Sequence, residues 1–205
     1  MPRKPIQKRA IVTVDAIVEA GFMAVASHGL AGATTRHIAT LAGISVGSLY
    51  EYFANKEEVY EAMNRKLVED IIGTIKPLIP SLTHMGIAEA IRTMLHAVGA
   101  LLRRDNNRYL QCARHGIQSD IKADLTPINR VLIELMMQYL MHHPRYARLI
   151  NLSAFSYIAI NGGMFTLMKH LNEENPSISY DKLVDGLANM MAHYADGELA
   201  LLEKP

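Results

Sequence analysis

The sequence predicts an all-α protein of about nine helices, and three observations carry that prediction. Apolar residues recur every three or four positions along most of its 205 residues, the period of a helix buried on one face. No stretch alternates apolar and polar residues over the length of a strand. Glycine and proline mostly fall between the periodic stretches, where helices have to end.

The first helix is expected from about Ile6 to Ser27, where Ile11, Val14, Val18, Phe22 and Val25 step by three or four and His28-Gly29 stops the pattern. The second opens at Thr34 or Thr35, either of which can accept an orphan backbone N–H, and puts Ile38, Ala39, Leu41 and Ala42 on one apolar face. Gly43 closes it. A glycine there can turn left-handed without a Cβ penalty, so the chain reverses within a few residues, as a helix-turn-helix requires. Ser45 then caps a third helix whose first turn holds only Val46, Gly47 and Ser48, side chains small enough to let a helix enter a DNA major groove closely. Leu49 and Phe53, four apart, face inward against Ile38 and Ile44, which leaves Tyr50 and Tyr52 pointing elsewhere. Asn55, with Glu58 three residues on, forms a capping box for a long helix that Lys76-Pro77 and Pro80 end. Further helices are expected at 86–103, 107–117, 125–142, 145–171 and 179–203, with seams at Gly86, Asn106, Pro127, Pro144 and Pro176.

Charge is uneven along the chain. Residues 1–55 carry five basic groups against three acidic ones, a net of +2, while the rest nets −1. The excess lies in an arm from Arg3 to Arg9, where a polyanion would be met, although basic termini also occur on proteins that bind none.

Three runs, Thr34 to Ala39, Ala42 to Phe53 and Asn55 to Glu57, together resemble the DNA-binding signature of the tetracycline-repressor (TetR) family of bacterial regulators. The resemblance is carried by residues ~6 to 60; the remainder is similar only in length and helical character. It implies a helix-turn-helix domain over 1–56 and a helical effector-binding and dimerisation domain over 57–205. It also implies that the first helix packs behind the reading pair, and Gly21 and Val25, where the family usually has Ala and Phe, suggest looser packing there. By chemistry and resemblance, Thr35, Arg36, Val46, Gly47 and Ser48 are the expected base contacts: Arg36 can donate to guanine O6 and N7, and Val46 can touch a thymine methyl. Tyr50, Tyr52 and Lys56 look like the family's phosphate clamps, with packed aromatics and a solvated lysine as the plainer alternatives. Val46, where the family often has a polar residue, and Glu51, acidic where positive charge is needed, are the least typical positions.

In the family the last two long helices form a two-fold dimer bundle, and here both are apolar over more than one face. Phe155, Ile158, Gly162, Leu187, Met191 and Tyr194 are accordingly the expected interface. An effector cavity is expected among soft and half-polar groups on converging helices: Met94, His96, Cys112, His115, Met136, Tyr139, Met164, Phe165 and Met168. Each of these alone reads better as plain core packing.

Other classes find little support. A single cysteine, Cys112, gives no disulfide framework within one chain and suits a reducing cytoplasm. Thr13, Asp15 and Glu19 interrupt any signal-peptide core, and no apolar run reaches ~18 residues, so neither secretion nor a membrane partner is expected. His142-His143, His96 and His115 lack metal-ligand spacing, Gly29-Leu30-Ala31-Gly32 lacks the third glycine of a phosphate loop, and no nucleophile has a base and an orienting partner. No metal, cofactor or catalytic residue is therefore expected. The reading is a cytoplasmic homodimer that binds palindromic double-stranded operator DNA and is released by a small apolar or amphipathic effector. Repression is the sign adopted, though it depends on operator position. The rival is a helical small-molecule or lipid-binding protein with a vestigial helix-turn-helix.

Overall fold

Helix α1 (Lys8–Gly32) opens the fold in a computed structural model that describes residues 8–118, 124–173 and 175–202. Its buried stripe is Ile17, Val18, Phe22 and Val25. The stripe was expected to start at Ile11, which is instead 47% exposed, and Ile17 supplies the buried contact. Gly29 adopts φ +68°, a conformation open to glycine, so His28-Gly29 kinks α1 and does not end it; one more turn follows to Gly32. By length and composition, Ala10–Gly32 is apolar enough to cross a membrane. Its Ile17, Phe22 and Val25 are buried within the protein, while Ile11, Val12 and Met23 are exposed.

Three helices follow: α2 (Thr35–Leu41), α3 (Val46–Tyr52) and α4 (Lys56–Ile75). Next come a 3-10 turn (Lys76–Leu78), α5 (Ile79–Leu82), α6 (Ile87–Gln118) and α7 (Thr126–His142). A second 3-10 turn (Pro144–Arg148), α8 (Leu152–Tyr157), a π-turn (Ile158–Gly162), α9 (Gly163–Asn172) and α10 (Tyr180–Leu202) complete the chain. Counting α8, the π-turn and α9 as one rod gives nine helices among the described residues, with no strand. Two compact units result: Met1–Asp70 with Leu102–Asp124, and Ile71–Leu101 with Leu125–Pro205, so α4 and α6 each contribute to both.

In the first unit Ile17, Phe22, Val25, Ile38, Leu49 and Val59 have essentially no exposed surface and form its centre. Leu41, expected on the same apolar face as Ile38, is exposed. Tyr60 ties α4 to the end of α1, its hydroxyl donating to the carbonyls of Leu30 (3.0 Å) and Ala33 (3.3 Å). Burial pushes the Tyr60 phenol up to about 12. The Tyr109 ring meets Phe22 edge-on at 4.7 Å while its hydroxyl donates to Asp70 Oδ2 at 2.5 Å, which anchors the later part of α6 in this unit. The expected seam at Asn106 appears inside α6 as two left-handed residues, Asp105 and Asn107, of types that tolerate positive φ. Gly21 corrects the expectation of loose packing. A Cβ there would sit 2.6 Å from Met63 Sδ and 3.3 Å from Val59 Cγ1, so the missing methyl lets α1 and α4 approach closely.

The second unit is built on three apolar clusters, centred on Leu95 with Val184 and Leu187, on Tyr146 and Leu149 with Ala195 and Leu199, and on Ile75 and Ile79 with Val131. The helix expected over 145–171 begins only at Leu152. Pro144 opens a 3-10 turn and Leu149 leaves helical geometry (φ −55°, ψ 128°), which turns Tyr146 and Leu149 into the core. Gly99 marks another close approach, because a Cβ would lie 2.6 Å from the Tyr180 ring, itself held by a 2.7 Å bond to the Leu95 carbonyl.

Candidate nucleic-acid interface and effector cavity

The turn between α2 and α3 follows from its caps. Thr34 caps α2, its side chain accepting from the His37 N–H at 3.2 Å. At the other end Gly43 takes φ +69°, its N–H reaching the Thr40 carbonyl (3.2 Å) while the Ile44 N–H reaches that of Ala39 (3.0 Å). Those two bonds are a Schellman motif. Ser45 starts α3 by accepting from the Ser48 N–H at 3.0 Å. Asn55 caps α4 through the Glu58 N–H (2.9 Å), and Glu58 reaches back to the Ala54 N–H (2.8 Å), one residue before the cap. Losing any one such cap typically costs about 0.5–2 kcal/mol, so the turn is over-determined locally.

Leu49 and Phe53 are buried, as their spacing required, and they hold α3 down. Outward face Arg36, Gly47 and Tyr50, all exposed, while Thr35, Val46, Ser48, Tyr52 and Lys56 are half-buried. Tyr50 OH lies 3.4 Å from Thr35 Oγ1, so the beginning of α2 and the middle of α3 share one surface. Ser48 Oγ is 2.9 Å from Ser45 Oγ, which commits part of its hydrogen-bonding capacity to the cap. Around Gly47 there is room: the nearest heavy atom to an added Cβ is Ser45 Oγ at 3.7 Å. Glycine is therefore not needed here for internal packing, and its absent side chain matters only to whatever approaches from outside. Lys56 begins α4, whose first turn also carries Glu57 and Glu58, so the lysine offsets local negative charge at that helix end. The side chains of the Arg3 to Arg9 arm lie outside the described residues.

In the second unit a cavity of about 190 Å³ opens among α6, α7, the α8–α9 rod and α10. Of the residues expected at an effector site, Met94, Met136, Tyr139 and Met164 line it. His96, Cys112, Phe165 and Met168 do not. His96 is exposed with Nδ1 3.8 Å from Asp181 Oδ1, Cys112 is buried in the other unit, Phe165 is 70% exposed, and Met168 lies off the lining. The side chain of His115 lies outside the described ones. Most of the wall is aliphatic, including Ile87, Ile91, Leu132, Leu135 and Leu152, which in sequence look like any other core leucine or isoleucine. Two lining residues carry a polar side-chain group, the tyrosines Tyr139 and Tyr146. Tyr139 OH donates to the Met85 carbonyl at 2.9 Å; Tyr146 OH accepts from Arg145 Nη2 at 2.5 Å and donates to Asp196 Oδ1 at 2.9 Å. Burial raises both phenols, Tyr139 to about 12.

The surface expected to pair two protomers divides in two. Leu187 is buried in this unit's own core and Met191 lines the cavity, because they lie on the inner side of α10. Ile158, Gly162 and Tyr194 are exposed, and the half-buried Phe155 ring stacks on Tyr194 at 5.2 Å. Next to them Tyr157, Phe165, Met190 and Leu201 are also exposed.

Comparison with known proteins agrees with this layout. Residues 17–63 match the family model described as bacterial regulatory proteins, tetR family. No curated protein matches the chain. Among solved structures, the fatty acid degradation regulator FadR of Bacillus halodurans is 18% identical, with a TM-score of 0.71 over 92% of this chain and 97% of its own. SmeT, the repressor of the Stenotrophomonas maltophilia multidrug efflux pump SmeDEF, is 18% identical, with a TM-score of 0.61 over 90% of this chain and 91% of its own. AibR, solved with isovaleryl coenzyme A and operator DNA, is 14% identical, with a TM-score of 0.57 over 87% of this chain and 97% of its own. At these identities the likeness establishes the fold.

Proposed function

From the premise that the chain belongs, through its N-terminal domain, to the tetR family of bacterial regulatory proteins, we propose that it is a homodimeric, effector-responsive repressor of transcription acting in the cytoplasm. Residues 1–56 read DNA and residues 57–205 bind the effector and pair the protomers. The observation that carries this reading is the capped turn from Thr34 to Ser45, which leaves Arg36, Gly47 and Tyr50 exposed and brings Tyr50 OH to 3.4 Å from Thr35 Oγ1. Two copies of α3 would enter successive major grooves of a palindromic operator about 34–36 Å apart. Thr35, Arg36, Val46, Gly47 and Ser48 would meet base edges, with Tyr50, Tyr52 and Lys56 on phosphates.

The dimer proposal rests on the exposed apolar side of the last helices. Along α10, Gly186, Met190, Tyr194, Gly197 and Leu201 follow one another at helical spacing, and an added Cβ on either glycine would meet nothing within 4 Å. A glycine inside a helix costs about 1 kcal/mol against alanine, and close approach by a partner helix supplies a reason for two of them. The interface proposed therefore keeps Phe155, Ile158, Gly162 and Tyr194 and moves from Leu187 and Met191 to their outer neighbours.

Of the three solved relatives, AibR is described with isovaleryl coenzyme A, while FadR and SmeT are described only as a regulator of fatty acid degradation and a repressor of a multidrug efflux pump, so the fold does not name the effector. A small apolar or amphipathic molecule in the cavity, bound more tightly by the conformer that cannot span one operator, would release the DNA. The test is a gel shift against the DNA upstream of the protein's own gene. A saturable, sequence-dependent shift supports the reading; no shift on any upstream fragment leaves the rival of a small-molecule binder without DNA function.

A further inference from the structure

We propose that the cavity takes an uncharged, largely hydrocarbon molecule about the size of a substituted single aromatic ring, and rejects carboxylates, phosphates and coenzyme A thioesters. The inference rests on the reading of this unit as the effector-binding half, and it deepens that reading from position to chemistry. Size comes first. An apolar cavity of about 150 Å³ accommodates benzene, so one of about 190 Å³ has room for a ring with a short substituent.

Polarity is the second argument. None of the lining residues is charged, and the hydroxyls of the two lining tyrosines already have partners: Tyr139 donates to the Met85 carbonyl, and Tyr146 pairs with Asp196 and Arg145. Tyr139 is further fixed by stacking on His143 at 4.3 Å. A ligand carboxylate would therefore be desolvated with no donor to receive it, the most costly way to bury a polar group. A hydroxyl could donate to the lone pairs left on the Tyr139 oxygen, but would find no donor of its own there. The same commitments keep the cavity unattractive to water, which needs several polar partners to settle in a buried site.

The wall's composition supplies the third. Met94, Met136, Met164 and Met191 surround the space, and thioethers both adapt to irregular shapes and make favourable contacts with aromatic edges. Phe155 adds a ring of its own.

A matched series tests the proposal on the full chain: ethylbenzene, 2-phenylethanol, phenylacetate and phenylacetyl coenzyme A, each followed by calorimetry and by the shift in unfolding temperature. The expected order is ethylbenzene first, the alcohol about tenfold weaker, and no measurable binding of the acid or the thioester, in line with the cost of burying unpaired polar groups. Tyr139→Phe should leave ethylbenzene affinity within about threefold, because its hydroxyl serves Met85 and not the ligand. Ala159→Phe should fill the space and abolish binding while keeping a cooperative unfolding transition. Tighter binding of phenylacetate or its thioester than of ethylbenzene, or loss of the neutral ligand in Tyr139→Phe, would overturn the assignment, as would no binding of any neutral member. Operator release is measured separately: a neutral ligand that binds yet leaves the DNA complex intact overturns the regulatory reading and not the ligand class.

Discussion

The α2–α3 turn and the apolar cavity represent opposite ways of building a functional surface. In the first, each terminal N–H and carbonyl that shapes the site is satisfied by a residue no more than five positions away, as in the Thr34, Gly43, Ser45 and Asn55 motifs. In the second, the wall is assembled from residues as far apart as Ile87 and Ala195, and none of them is chemically distinctive. Local chemistry shapes the turn itself, with α1 and α4 burying its inner face, whereas the cavity exists only as the sum of long-range packing. Substitutions should therefore separate cleanly between the two, and five experiments sharpen or break that contrast.

The largest effect is expected at Gly47. Replacing it by leucine should leave the unfolding temperature unchanged or slightly higher, since the site has open space, yet should weaken operator binding by about 100-fold or more by blocking close groove approach. A comparable loss of stability would show that the glycine serves the fold. Next comes Gly99→Val, for which the Tyr180 ring has no easy retreat while its hydroxyl holds the Leu95 carbonyl. Denaturant unfolding should register a loss of about 1–3 kcal/mol from overpacking, and isolated changes in DNA affinity at full folding would contradict the separation.

Lys56→Ala should cost about tenfold in affinity, uniformly across DNA sequences, and reduce the slope of log K against log salt by about one. Arg36→Ala should differ by relaxing preference at one base position, as a competition assay with single-base operator variants would reveal. The smallest effect concerns pH. Tyr60 and Tyr139 are raised from the ordinary value of 10.0 to about 12. The stability linked to their protonated forms is thus fully present below pH 10 and is lost as pH rises through about 12. Alkaline unfolding followed by tyrosine absorbance should show late titration in the wild type, and Tyr139→Phe should remove part of it.

How much of this was legible in the sequence follows the same division. Thr34, Gly43, Ser45, Asn55 and Glu58 announce caps whose physics is complete within a few residues, and the structure forms them as the spacing required. The inward placement of Leu49 and Phe53 was equally plain from their four-residue separation. Less could be read where two helices meet. Gly21 suggested loose packing because the sequence does not show that Met63 and Val59 crowd its position. Leu187 and Met191 were assigned to the outside because α10 is apolar on both sides, and only its packing against Leu95 and the cavity reveals which side is inner. For the cavity, methionines and half-polar side chains drew attention, whereas half of the wall is leucine and isoleucine; a lining residue and a core residue look alike until the neighbouring helices are in place. The helix expected to begin at 145 failed for a local reason, since Pro144 started a 3-10 turn where the pattern suggested continuous helix.

The central claim, that the surface around α3 binds duplex DNA through phosphates as well as bases, is tested most directly by fluorescence anisotropy. A labelled duplex from upstream of the protein's own gene would be titrated with wild type and Lys56→Ala across a salt series. The account predicts a steep negative dependence of log K on log salt that becomes shallower by about one in the variant. Salt-independent binding, or identical slopes for the two proteins, would contradict it.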